Sequence, residues 1–259
     1  MNSIKLFFSF LSAAMGTGLI LSGCSKQASR PIFAVASLNV VNALPTSKPL
    51  ILIQGPPSAE IGMFSPIGTL SYNGTTVLTP MSGSEMFYAL QKDADTSSIT
   101  EHGGDYMFNS VLNFTTHNFY SLFITGKDTT SPDYLFVQDT IAVRTDSTAG
   151  IRFVNLSAGS NSVSIDIKGE ANGGVVPALA YKGITSFRSF PATSTISSYV
   201  FEFRDAVSGN LLASYTLSGV NTNSTTVANT VLFKNFTIAL IGQPAGGVVA
   251  QSCLRVNSF

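Results

Sequence analysis

The sequence predicts an all-β chain, built as two tandem antiparallel β-sandwich domains of immunoglobulin-like type. Three observations predict it. Apolar and polar residues alternate over short runs, the period of a strand with one buried face. Turn residues punctuate those runs, as in Asn73-Gly74, Ser82-Gly83, Gly103-Gly104, Ser208-Gly209-Asn210 and Gly246-Gly247. Segments of the first half also recur in the second at nearly constant spacing.

The recurrence sets the organisation. Leu38-Asn39-Val40-Val41-Asn42 resembles Ile151-Arg152-Phe153-Val154-Asn155 at an offset of 113. Tyr88-Ala89-Leu90 aligns with Phe201-Glu202-Phe203, and Leu135-Phe136-Val137-Gln138 with Val248-Val249-Ala250-Gln251, at that same offset; Ile141 and Val143 then fall on Leu254 and Val256. Small insertions shift Leu70-Ser71-Tyr72-Asn73-Gly74 onto Leu179-Ala180-Tyr181-Lys182-Gly183, and Leu122-Phe123-Ile124-Thr125-Gly126 onto Ile238-Ala239-Leu240-Ile241-Gly242. The expected domains are 37–146 and 149–259, joined at the small, polar Thr145 to Gly150.

Each domain reads as seven or eight short strands, which suits a sandwich of about 110 residues. In the first, Leu50 to Gln54 is a strand ended by Pro56-Pro57. Tyr120 to Thr125 alternates poorly, as a strand buried on both faces would. In the second, Val163, Ile165 and Ile167 alternate with Ser164, Asp166 and Lys168; Tyr199, Phe201 and Phe203 alternate with Val200, Glu202 and Arg204. Asn42 and Asn155 end matching strands, where an amide bonds turn backbone. No window beyond the leader has the pattern of an amphipathic helix.

Composition narrows function. Charged residues are 11% of 259, against about 25% in an ordinary soluble domain. With 14 Lys and Arg against 14 Asp and Glu, and no basic cluster, nucleic acid is excluded as a partner. The hydrophobic share, 44%, excludes disorder for most of the chain.

The first residues carry an address. Met1 to Lys5 is a short n-region with one positive charge, and Leu6 to Leu21 is uncharged. That run is short for a membrane span but has the size of a signal-peptide h-region. It ends in Leu21-Ser22-Gly23-Cys24, which resembles a bacterial lipobox. The resemblance implies a signal peptide over 1–23, cleavage after Gly23, a diacylglyceryl group on Cys24, and a tether over 24–36. The protein would then be anchored to a membrane and would not span it. Ser25 lacks the Asp that resembles an inner-membrane retention signal, so the expected location is the outer membrane, periplasmic or surface-facing. With Cys24 lipidated, Cys253 has no intramolecular partner and reads as a small filler in a terminal strand.

Val41-Asn42-Ala43 and Val154-Asn155-Leu156, each followed by an alternating strand (Ile51 to Gly55; Ile165-Asp166-Ile167-Lys168-Gly169), and the strand end Ile124-Thr125-Gly126, are similar to the domain of unknown function 4397 family of bacteria. The resemblance covers both repeats. The first departs from it in having Leu52 where Asp166 sits in the second, and in the loop Pro56 to Pro66. It implies lipoprotein anchoring and a β-sandwich, and carries no reaction and no catalytic residues.

The remaining motifs carry little chemistry. No Gly-x-Ser-x-Gly elbow appears, and His102 and His117 are the only histidines. Glu101-His102-Gly103-Gly104-Asp105 has metal-ligating residue types but reads as a hairpin loop. Asp93-Ala94-Asp95-Thr96-Ser97 resembles a calcium loop without the glycine and glutamate an EF-hand requires. Gly173-Gly174 lacks the helix and Lys-Ser of a phosphate loop. Tyr72 with Tyr181, and Tyr88 with Phe201, recur at matching positions, and the core reading is preferred over a sugar platform. No catalytic residue, metal ligand or cofactor is therefore expected. The expected role is binding, adhesion or scaffolding without catalysis, with the membrane and a protein or glycan ligand as partners. The alternatives are a carbohydrate-binding accessory of a nutrient-uptake system and an envelope hydrolase. The hydrolase requires His102 or His117 to converge with acids in a cleft.

Overall fold

A computed structural model describes residues 34–45, 48–56, 66–91, 106–221 and 229–258. Sixteen strands fill them. The first half holds β1 (Ser37–Asn42), β2 (Leu50–Gly55), β3 (Gly68–Leu70), β4 (Thr75–Leu78), β5 (Gly83–Gln91), β6 (Tyr106–Phe114), β7 (Phe119–Gly126) and β8 (Pro132–Asp139). The second holds β9 (Thr148–Asn155), β10 (Val163–Ile167), β11 (Val176–Leu179), β12 (Arg188–Pro191), β13 (Ser198–Asp205), β14 (Leu211–Ser218), β15 (Asn235–Ile241) and β16 (Ser252–Ser258).

Each half is a β-sandwich of two four-stranded sheets. The first pairs the order β3-β2-β5-β6 with β4-β1-β7-β8; the second pairs β11-β10-β13-β14 with β12-β9-β15-β16. The orders match strand for strand, so the repeat is a repeat of topology. The ladders are antiparallel with one exception in each sandwich: β1 runs parallel to β7, and β9 parallel to β15. Side-chain alternation has the same period in both kinds of ladder, so the strand pattern carried no sign of the exception.

Alternation fills two cores. Leu38, Val40, Leu50, Leu52, Phe87, Ala89, Leu122 and Ile124 pack inside the first sandwich. Ile151, Phe153, Val163, Ile165, Phe201, Phe203, Ile238 and Leu240 pack inside the second. A third cluster joins them. Val41, Ala43 and Phe123 meet Val154, Leu156, Ala239, Ile241 and Val256. The inner sheets thus stack face to face, in four layers. Strand β7 is buried on both faces because its second face meets the other sandwich, which accounts for its poor alternation. Ala34 to Phe259 packs as one compact unit, so the sandwiches are not two beads on a linker.

Two sequence alignments shift against the ladders. Ile53 pairs with Tyr88 as Asp166 pairs with Glu202, so Tyr88 corresponds to Glu202, and Phe87 to Phe201. The expected match of Tyr88 with Phe201 was one residue out, which in a strand moves a side chain to the opposite face. Likewise Ile53, not Leu52, stands at the position of Asp166. At the last strand, Phe123 pairs with Leu135 and Ala239 with Leu254, so Leu135 corresponds to Leu254 rather than to Val248.

The turns repeat faithfully. Asn42 Nδ2 donates to Leu70 O at 3.0 Å, while its Oδ1 accepts from Leu44 N at 3.1 Å. Asn155 makes the same pair, to Leu179 O at 3.2 Å and from Ser157 N at 3.1 Å. Beside them, Asn73 and Lys182 adopt left-handed backbone at φ 64° and 61°. Gly126 and Gly242 close the equivalent strands β7 and β15 at φ 131° and 82°. At both, a Cβ would run into the backbone of the returning chain, at Ser131 and at Ala250.

Candidate ligand-binding site

The seam between the sandwiches is made by residues that alternate away from the two cores. Thr125 Oγ1 donates to Leu156 O at 2.8 Å across it. Arg152 bonds across it. It donates from Nη1 to Asp139 Oδ1 at 2.6 Å, from Nη2 to Ser121 Oγ at 3.0 Å and from Nε to Thr237 Oγ1 at 2.7 Å. Phe187 covers the guanidinium at 4.6 Å. Ser121 Oγ donates to the second carboxylate oxygen of Asp139 at 2.7 Å. Arg152 and Asp139 are both buried, so each is the compensation for the other's desolvation. The linker is strapped down as well. Arg144 donates to Asn235 Oδ1 at 3.1 Å and to Ser189 Oγ at 2.6 Å, packing where any side chain on Gly150 would sit.

Two grooves open where the seam reaches the surface. One, of about 480 Å³, lies between Val77 of the first sandwich and Lys234, Phe236, Arg255, Asn257 and Ser258 of the second. The other, of about 390 Å³, lies between Val137 and Gln138 of the first and Arg152, Thr185, Ser186 and Phe187 of the second. Both volumes fall in the range of small-molecule sites.

The grooves share a frame. Asn39 pairs with Val77 and with Ser121. Arg152 pairs with Thr237 and lies one residue past the Ile151–Arg188 pair, beside Phe187. Gln138 stands opposite Tyr120 as Asn257 stands opposite Phe236. So Val77 and Asn257 in one groove correspond to Phe187 and Gln138 in the other, while the counterpart of Arg152 is Asn39, which lies outside the lining.

Their electrostatics differ. In the 390 Å³ groove the cation is committed to the seam. At the matching ladder position Asn39 replaces it, buried and outside the lining of the 480 Å³ groove: Nδ2 donates to Asn257 O at 2.9 Å, and Oδ1 has no partner among the described residues. Lys234 and Arg255 are exposed at this opening, and no carboxylate lines it. The Arg255 guanidinium lies over the Phe236 ring at 5.2 Å.

No family model matches the chain, and no curated protein matches it. Solved structures do. A carbohydrate-binding module, CBMbc (family CBM26) from Eubacterium rectale Amy13K, determined with maltoheptaose, is 9% identical; the match covers 86% of this chain and 97% of that one, at a TM-score of 0.24. An adhesin assignment from Bacteroides ovatus is 11% identical, over 88% of this chain and 96% of that one, at 0.23. A streptococcal virulence factor described as binding α-glucan is 10% identical, over 80% and 93%, at 0.23. No residue role is carried over from these structures.

The other sequence candidates are placed as follows. Leu21, Ser22, Gly23 and Cys24 lie outside the described residues, as do Asp93 to Ser97 and Glu101 to Asp105 with His102. His117 is exposed on the β6–β7 turn, in left-handed backbone at φ 63°. Among the described residues no three His, Cys, Asp or Glu side chains gather as a metal site. Cys253 packs against the second core, and burial pushes its thiol up to about 12, which keeps it protonated and unreactive. Tyr72 and Tyr181 are half-buried; Tyr72 packs on the seam cluster, and burial pushes both phenols up to about 12. They do not form an exposed aromatic platform. Sequence reasoning missed Arg152, Asn39 and the groove residues Lys234 and Arg255. One signal was present: Arg152 is a lone charge inside the apolar run Ile151 to Val154.

Proposed function

We propose that this chain is a lipid-anchored protein of the cell envelope that binds a ligand without transforming it, in an adhesive, scaffolding or glycan-capturing role. The observation that carries the reading is the 480 Å³ groove at the seam. Its two walls come from different sandwiches, and the Arg152–Asp139 pair and the Thr125–Leu156 bond fix those walls against each other. A rigid frame of this kind limits the ordering cost of binding. Outside it, the exposed strand surface is rich in Ser, Thr and Asn.

Anchoring rests on the lipobox. In this reading residues 1–23 are removed, Cys24 is acylated, 24–36 tether the sandwiches, and the outer membrane is the location. Among the described residues no helix is long and apolar enough to cross a membrane. The resemblance to the domain of unknown function 4397 family fits the same reading, and the matched Asn42 and Asn155 turns support two copies of one unit.

Two measurements test the proposal. A mass spectrum of the mature chain is expected to show an N-terminal Cys24 carrying acyl chains; an unmodified Cys24 removes the anchor. Glycan arrays and envelope-fraction pull-downs are expected to yield a ligand that competes with labelling of a cysteine introduced at Val77. Turnover of that ligand would overturn the non-catalytic reading.

A further inference from the structure

We propose that the 480 Å³ groove is a binding site for an acidic sugar, a hydroxyl-bearing carboxylate held by Arg255. The inference rests on the binding function above and names its ligand class.

Three observations point to it. First, Arg255 and Lys234 are exposed at one opening with no carboxylate in its lining. The equivalent groove has the same frame, yet its Arg152 is spent on Asp139. The charge is thus specific to one groove and not a consequence of the fold. Second, the Arg255 guanidinium is laid against Phe236 at 5.2 Å. A stacked guanidinium loses little further freedom on binding, and its planar fork matches a carboxylate with two parallel hydrogen bonds. Third, the ligand needs donors as well as negative charge. Asn257, two residues from Arg255 on the same side of β16, is exposed in the lining, and its amide oxygen accepts from a hydroxyl. The exposed Thr230 hydroxyl lines the same groove. A polyphosphate backbone is a poor fit, because the whole chain balances 14 cations with 14 acids and has no basic track.

The test uses the full chain in detergent and four probes: an oligogalacturonide, a neutral maltooligosaccharide, inorganic phosphate, and the oligogalacturonide in high salt. Calorimetry is expected to show oligogalacturonide binding that weakens at least tenfold in Arg255→Gln and less in Arg255→Lys. Val77→Trp, which narrows the groove from the opposite sandwich, is expected to abolish it. Unchanged thermal unfolding of each variant verifies the fold. Equal binding of the neutral oligosaccharide, with no effect of Arg255→Gln, overturns the acidic-sugar assignment and leaves the glycan-binding function standing. Equal binding of phosphate overturns the sugar. Failure of all four probes overturns the assignment, and the array and pull-down measurements then decide the wider function separately.

Discussion

On the outer face of its outer sheet the first sandwich places Ile51, Ile53, Tyr88 and Leu90; at the same ladder positions the second places Ser164, Asp166, Glu202 and Arg204. The apolar four are all buried. Among the polar four, Asp166 is 2% exposed and Glu202 7%. Arg204 reaches Asp166 at 3.5 Å, pairs with Glu202, and donates to Gly209 O at 3.1 Å. Ser164 Oγ donates to Asn172 Oδ1 at 2.7 Å, from the loop after β10. One backbone therefore tolerates either chemistry, under different conditions. The apolar set needs only to be kept from water. The polar set needs a partner for every atom, and Asp166 Oδ1 lacks one among the described residues.

The largest effect is expected from moving one side's chemistry to the other without its compensation. Ile53→Asp puts a carboxylate at the position of Asp166 but opposite Tyr88, with Leu90 where Arg204 would stand. An unpaired buried charge of this kind costs about 4 kcal/mol or more. Urea denaturation is expected to show loss of the first sandwich; a change under about 1 kcal/mol would mean that the face admits water.

Next comes removal of the cation. Arg204→Met leaves Asp166 and Glu202 as facing cross-strand partners. Removing the cation leaves the two carboxylates without their shared partner, which is destabilising. Burial first, and Glu202 second, already hold the Asp166 carboxyl above the usual carboxylate range, with Arg204 opposing them. The sign follows. A raised folded pKa means that the native state binds the proton more tightly. The penalty is full above that pKa and relieved as pH falls through it. The Arg204→Met defect is therefore expected to shrink on acidification, and a pH-independent defect would remove the carboxylates from the explanation.

A gentler exchange sharpens the comparison. The triple change Asp166→Ile, Glu202→Tyr and Arg204→Leu installs the first sandwich's set in the second. Replacing a buried ionic cluster by packed apolar groups is neutral or stabilising by roughly 1–4 kcal/mol. Stability equal to or above the parent is expected from equilibrium unfolding; a loss would show that the β10–β11 loop, through Asn172, depends on the polar face.

These two faces also show what the sequence could tell. Alternation at Val163 to Ile167 and at Tyr199 to Arg204 made the strands legible, and Asn42 and Asn155 were legible as turn formers. The offset between repeats was not legible to one residue at β5 and β13, because Tyr88 and Phe201 are alike in chemistry while their faces are opposite. The parallel β1–β7 and β9–β15 pairs were hidden because a strand's own pattern is indifferent to its neighbour's direction. The groove was hidden because it has no motif. Val77 and Arg255 are 178 residues apart and meet only when two sandwiches stack.

The smallest expected effect isolates a turn carboxylate in the same sandwich, with the opposite sign to Asp166. Asp205 closes the turn after β13. It accepts from Ser208 N at 2.7 Å, Ser208 Oγ at 2.9 Å, Val207 N at 3.1 Å and Asn161 Nδ2 at 2.8 Å. These donors, led by the Ser208 amide, hold its carboxyl down to about 2. A lowered folded pKa means that the ionised form is the one the native state favours. Its contribution is present above about 4, the unfolded aspartate value, and is lost as pH falls toward about 2. Asp205→Asn is expected to lower the urea midpoint slightly at neutral pH and to leave it unchanged at pH 2. Asp166→Asn is expected to raise the midpoint at neutral pH and to converge with the parent in acid. If both variants moved in the same direction, the two carboxylates would not be in the opposed environments that the ladder and the turn give them.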